Sequence, residues 1–251
     1  MEATLTMLIH GESGVGKSWL ADTAPAPRLI LDAEGRAKYT PSGPKVAWDV
    51  RSGPPPAADG SWETCVASVS DFEPLSLAYQ WLRSGQHQFR SIIVDSLMEA
   101  QKRCIDTVAG VNALDQQDWG TLLRKLEALV RSYRDLTLIP SNAAKVVLFI
   151  VGTKDSDGMH RPLLQGQLAT TVPYYLDVVG YLFIAPVQDA TGGTIHQRQL
   201  LVHPQPNFVA KDGTGRLPGP VIAEPNITQL VELLHTNGQP VAPVAEEGVS
   251  A

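Results

Sequence analysis

The sequence predicts an α/β fold with a mostly parallel central sheet, and three observations lead to it. Short apolar runs fit for buried strands alternate with helical patterns, which is how strand–helix–strand units read. The first run, residues 5–10 (Leu-Thr-Met-Leu-Ile-His), opens directly onto Gly11-Glu12-Ser13-Gly14-Val15-Gly16-Lys17-Ser18, a complete Walker A loop. Toward the C-terminus, two strand patterns are joined by Gln-Asp-Ala-Thr-Gly-Gly, which predicts an antiparallel hairpin added to the sheet.

The elements follow in order. Residues 5–10 suit a strand buried on both faces. Residues 17–24 form a short helix that Pro25 and Pro27 end. Residues 28–32 (Arg-Leu-Ile-Leu-Asp) are a second strand. The Pro- and Gly-rich stretch 41–60 holds a small strand at 46–50, then a mobile loop at 51–60. Residues 71–84 are a helix, with Asp71 as its cap, Pro74 in its first turn and an apolar stripe of Leu77, Trp81 and Leu82. Residues 91–95 (Ser-Ile-Ile-Val-Asp) are a buried strand, followed by helices at 96–108 and 118–136. The second helix turns Leu122, Leu126, Leu129 and Val130 to one face and Arg124, Lys125, Arg131 and Arg134 to the rest. Another buried strand spans 145–152. The hairpin pairs 177–186 with 194–203, a short strand falls at 207–211, and a last helix at 227–235. Residues 1–238 form the core, and 239–251, which lack any period, a disordered tail.

Composition narrows the classes. The 251 residues suit one α/β domain with small additions. No apolar run reaches membrane-spanning length, and the N-terminal residues have no signal-peptide pattern, so a cytoplasmic protein is expected. Cys65 and Cys104 make no metal or redox motif and read as reduced thiols. A net charge of −6 argues against a uniformly basic nucleic-acid coat but leaves room for a local groove. Trp48, Trp62, Trp81 and Trp119 do not cluster in sequence with Lys or Arg, so no base-stacking platform is visible.

The chemistry begins at the loop. Gly11, Gly14 and Gly16 let the backbone of Glu12, Ser13 and Val15 close around a phosphate. Lys17 supplies a charge to β- and γ-phosphates, and the Ser18 hydroxyl is placed to ligate Mg²⁺. ATP and Mg²⁺ are therefore the expected ligands. Hydrolysis needs a second acid near the metal and a base for water. Asp95 ends a buried apolar strand, the Walker B pattern, and would act on Mg²⁺ through water; capping the next helix is its other possible role. Asp32 and Glu34 end the second strand, where a carboxylate can polarise water beside the γ-phosphate.

The order of Gly-Glu-Ser-Gly-Val-Gly-Lys-Ser, Asp32-Ala-Glu-Gly and Ile-Ile-Val-Asp95-Ser resembles the RecA-like recombinase ATPases. Specifically, it is similar to their core-only bacteriophage members that assist single-strand annealing. The resemblance implies a RecA-like P-loop core, with Glu34 as general base and Asp95 as Walker B acid. It places Thr153 as a γ-phosphate sensor where the recombinases proper carry an amide. It implies a DNA-contacting loop at 154–167, with Lys154 and Arg161 on nucleic-acid phosphates. It makes Lys211 a cation reaching the neighbouring subunit's nucleotide; the family's nearby Arg is displaced here to Arg216.

The implied protein is an ATPase stimulated by single-stranded DNA, in recombination, annealing or repair. It would be a ring or filament of like subunits, with a single-strand-binding protein as a further partner, in bacterial host cytoplasm. No N-terminal polymerising arm is expected before the loop. Two rivals remain. One is a nucleotide-gated assembly or scaffold protein without DNA-stimulated turnover. The other is a small-molecule kinase, which would need an Arg-rich lid.

Overall fold

In a computed structural model, residues 3–236 are described, and the expected disordered tail at 239–251 lies outside them. Nine strands form one continuous sheet in the order β11 (Val221–Ala223), β9 (Thr194–Leu201), β8 (Val178–Gln188), β1 (Leu5–Gly11), β6 (Val146–Ser156), β5 (Ser91–Asp95), β2 (Arg28–Asp32), β4 (Thr64–Ser68), β3 (Lys45–Ala47). From β8 to β3 every neighbour is parallel. The strands β9 and β11 add antiparallel at the far edge. Two short strands branch off: β7 (Met159–Pro162) pairs with β6, and β10 (Lys211–Asp212) with β8.

Strand alternation divides the core in two. Leu8, Leu29, Leu31, Ile92, Val94, Val147 and Phe149 point to one face. There they meet α2 (Glu73–Ser84), α3 (Leu97–Ala109), α4 (Gln116–Asp135) and α5 (Leu168–Tyr175). Leu5, Met7, Ile9, Ile30, Ile93, Leu148 and Ile150 point to the other, against α1 (Lys17–Ala21) and α6 (Ile227–His235). On α4, Leu122, Leu126, Leu129 and Val130 are buried as the periodicity requires. The helix starts at a full capping box between Asp115 and Asp118, two residues earlier than the apolar pattern alone suggests.

Several expectations need correction. The loop expected at 154–167 is in its first half the β6–β7 hairpin, which places Lys154 opposite Arg161. The strand expected at 207–211 shrinks to β10, with isolated bridges from Phe208 to His160 and to Gln205. The helix α2 has Phe72 at its cap position; Asp71 contributes by accepting the Glu73 N–H at 3.0 Å. The small strand expected at 46–50 is β3, at Lys45–Ala47, and the loop expected at 51–60 is tied down by indoles at both ends. Trp48 Nε1 donates to Gly53 O and Trp62 Nε1 to Ala57 O, each at 3.1 Å, while both rings pack on Phe89.

Cys65 and Cys104 are free and buried, and burial pushes their thiols up to about 12 and about 11. No helix among the described residues is long and apolar enough to cross a membrane.

Candidate functional site

The parallel strands deliver their C-terminal ends to one edge, where α/β sheets place ligands. The strand β1 hands over to the loop Gly11–Ser18, and α1 starts at Lys17. Gly14 and Gly16 take the left-handed conformation, φ 84° and 92°, which lets successive N–H groups turn inward. Gly11 is required for another reason: a methyl built on it would lie 2.2 Å from Leu182 O on β8.

Lys17 Nζ donates to Gly11 O and Glu12 O, at 2.8 and 2.7 Å, and so lies across the mouth of its own loop. Burial lowers its pKa, and Asp95, Glu34 and Glu12 counter that. The strand β6 separates β1 from β5, so Asp95 faces the loop from one strand further along the sheet. Burial raises the Asp95 carboxyl to about 6, and Glu34 and Asp32 add to the rise. The Ser18 hydroxyl, which hydrogen-bonds it, and Lys17 oppose the rise. The alternative of helix capping falls to the next residue: Ser96 Oγ accepts the Glu99 N–H and caps α3, which leaves Asp95 to the cavity.

The acidic pair after β2 divides into two roles. The Asp32 carboxylate accepts the backbone N–H groups of Glu34, Gly35, Arg36 and Ala37, and so is spent on shaping the turn. Glu34 points into the cavity, where Ser96 Oγ donates to its Oε1 at 2.6 Å. Arg36 lies 3.8 Å from its other oxygen, but that guanidinium is exposed and binds it weakly.

One cavity of 890 Å³ therefore brings together residues 11–18, Glu34, Asp95 and Thr153. The Thr153 hydroxyl lies 3.1 Å from His10 Nδ1 and 3.1 Å from Arg161 O. His10 is fully buried, donates through Nε2 to Val209 O at 2.7 Å, and is held down to about 4 mainly by burial. It is thus a neutral bridge between β1, β6 and the segment before β10. The remaining nominated cations lie outside the cavity. Lys154 Nζ donates to Leu164 O, Lys211 Nζ to Pro173 O and Arg216 Nη1 to Leu234 O at the end of α6. Arg161 is exposed on β7.

Sequence reasoning missed Ser96, His10 and the β9 side of the cavity, where His196 and Arg198 project. Ser96 and His10 flank motif residues directly, and that adjacency was their available signal. Arg198 has no local signal, because only the sheet order brings β9 near β1.

The residues fit a nucleotide with Mg²⁺. Ser18 and Asp95 are adjacent oxygen donors, and no preformed cluster of three or more metal-binding side chains exists among the described residues. That suits a cation held by one or two protein oxygens plus phosphates and water.

No curated protein matches the chain. Among solved structures, it is similar to an ATPase from the type III secretion system of pathogenic bacteria (TM-score 0.47, 13% identity). That match covers 72% of this chain but only 52% of the other, so the chain spans about half the length of that relative. It is also similar to the flagellar accessory protein FlaH from Methanocaldococcus jannaschii (TM-score 0.40, 12% identity, 90% and 88% covered). A family match runs over residues 3–214, from the start of β1 past β10, and takes in the whole loop, Glu34 and Asp95: the chain belongs to the AAA domain family AAA_24.

Proposed function

We propose that this AAA domain hydrolyses ATP, with Glu34 as the base that activates water. The observation that carries the reading is the Glu34 carboxylate, fixed at 2.6 Å by Ser96 Oγ inside the cavity that the loop and Asp95 share. A carboxylate held by a single hydroxyl keeps lone pairs for a water proton. Bound Mg²⁺ would supply charge neutralisation of the phosphates, with Ser18 and Asp95 as the residues that hold it. Lys17 would exchange its two carbonyl acceptors for phosphate oxygens. Thr153, at the end of the β6 core, supports a sensing role because its hydroxyl connects the cavity to the β6–β7 hairpin. A kinase reading calls for an Arg-rich lid, and the described cavity lining carries two arginines, Arg36 and Arg198, on opposite flanks.

The coupled activity we propose is ordering on single-stranded DNA by a ring or filament of subunits, as the recombinase resemblance implies. Arg161, exposed on β7, supports it as a phosphate contact. A specific observation favours the nucleotide-gated scaffold as second reading: Lys154, Lys211 and Arg216 all have their head groups bonded to carbonyls of their own chain. A trans-acting Lys211 would have to leave Pro173 O.

The test is ATP turnover by wild type and Glu34→Gln, with and without single-stranded DNA, at low and moderate salt. Glu34→Gln should bind ATP and lose turnover by 100-fold or more, on the order of general-base contributions. Stimulation of wild type by DNA supports the recombinase reading; turnover without DNA binding at low salt selects the scaffold. Full turnover by Glu34→Gln would remove Glu34 from the chemistry.

A further inference from the structure

The β8–β9 hairpin runs past the end of β1 and stands beside the phosphate loop. Register places Ile184 opposite Arg198, and both line the cavity. The main chain at Arg198 is clamped on its other side as well: its N–H donates to Glu224 Oε1 at 3.2 Å, and its carbonyl accepts the Glu224 N–H at 2.9 Å. The side chain is thereby aimed at the loop. A methyl built on Gly16 would lie 3.0 Å from Arg198 Nη1, so the guanidinium rests against the loop backbone. Its central carbon lies 5.6 Å from the ring centre of Trp19, the residue after Ser18.

This guanidinium is half-buried and has no carboxylate or carbonyl partner among the described residues. The nearby acid, Glu224, spends its oxygen on the Arg198 backbone instead. A cation so placed, next to a loop whose N–H groups turn inward, is matched to an anion with more than one phosphate oxygen to offer.

Sheet order fixes which part of that anion it meets. The acids Glu34 and Asp95 approach the loop from β2 and β5, on one side of β1. Arg198 approaches from β9, on the opposite side. It touches Gly16 and Trp19, at the turn into α1, where the loop cradles α- and β-phosphates.

We infer that Arg198 is a phosphate-binding residue supplied by the same chain, which grips the α,β-diphosphate unit of a nucleoside di- or triphosphate on the flank away from Glu34. This rests on the nucleotide reading given above. Because ATP and ADP share the diphosphate, the contact is open to both and contributes to the affinity for each.

The experiment measures ATP and ADP dissociation constants by calorimetry, and turnover at saturating ATP, for wild type, Arg198→Ala, Arg198→Gln and Arg198→Lys. Arg198→Ala and Arg198→Gln should bind both nucleotides about 10- to 100-fold more weakly, the worth of a charged hydrogen-bonded contact. Arg198→Lys should recover part of that loss. The two affinities should fall together, since the diphosphate is common to both nucleotides. The neutral Gln variant keeps the stem over Trp19, so agreement between Ala and Gln separates lost charge from lost packing. Unchanged affinity in Ala and Gln overturns the inference. So does a loss confined to ATP with a fall in maximal turnover, which would put Arg198 on the γ-phosphate. A wild type that binds neither nucleotide would sink the nucleotide reading itself, and the role of Arg198 with it.

Discussion

Replacing Asp95 by Asn should stabilise the fold while it removes turnover. Burial raises the Asp95 carboxyl from its ordinary 3.8 to about 6. A pKa difference of one corresponds to about 1.36 kcal/mol, so holding this group ionised costs the fold about 3 kcal/mol at neutral pH. The sign follows from proton affinity. The folded chain binds this proton more tightly than the unfolded chain, so stability falls as pH rises from 3.8 to about 6 and stays low above that. Asn has the same shape, is neutral at every pH, and its carbonyl can accept from the Ser18 hydroxyl. Asp95→Asn should therefore gain roughly 2 to 3 kcal/mol at pH 8, or roughly 4 to 12 °C in Tm for a chain of this size. At pH 4.5 most of that gain should vanish, because wild-type Asp95 is then protonated. The assay is thermal unfolding of both proteins at the two pH values, with chelator and without nucleotide. A loss of stability at pH 8, or an equal gain at both, would refute the argument that burial of an ionised Asp95 strains the site.

Two further predictions concern β1. His10 is held neutral, at about 4 against its ordinary 6.5. The folded chain binds that proton more weakly than the unfolded one, so His10 removes stability as pH falls from 6.5 toward 4. His10→Gln keeps a donor for Val209 O, and in urea unfolding its stability relative to wild type should rise between pH 7 and pH 5; an unchanged difference would acquit His10. Gly11→Ala drives a methyl onto the Leu182 carbonyl, a backbone atom that cannot move aside, and should cost about 3 kcal/mol or more by overpacking. Gly14→Ala meets nothing within 4 Å and should pay only the left-handed backbone strain, about 1 kcal/mol. Comparable melting temperatures for the two variants would contradict the close approach of β1 and β8.

What the chain discloses locally was readable, and what depends on sheet order was not. The loop, Asp95 and Glu34 each follow a compact apolar run, so strand, turn and acid lie within a few residues of one another. The division of Asp32 from Glu34 was hidden, because both are acids at one strand end; only the four N–H groups converging on Asp32 separate them. The strand β4 was missed because Thr64-Cys-Val-Ala-Ser is short and small, without the bulk that marks a buried run. The helix α5 was missed because Pro173 interrupts its pattern. Arg198 reaches the loop through two strand pairings, β9 on β8 and β8 on β1, and sequence spacing carries neither. Conversely, Lys154 and Lys211 stand at positions the resemblance nominates, yet backbone carbonyls nearby capture their ammonium groups.

The two sealed thiols make the molecule convenient to label. Cys65 and Cys104 are wholly enclosed by the core, and burial holds both protonated, so neither offers a thiolate to a maleimide at neutral pH. A cysteine introduced at the exposed tip of the β8–β9 hairpin, as Ala190→Cys, would be the reactive one among the described residues. A dye or spin label attached there would test whether the hairpin moves as nucleotide enters and leaves, with the native cysteines left in place.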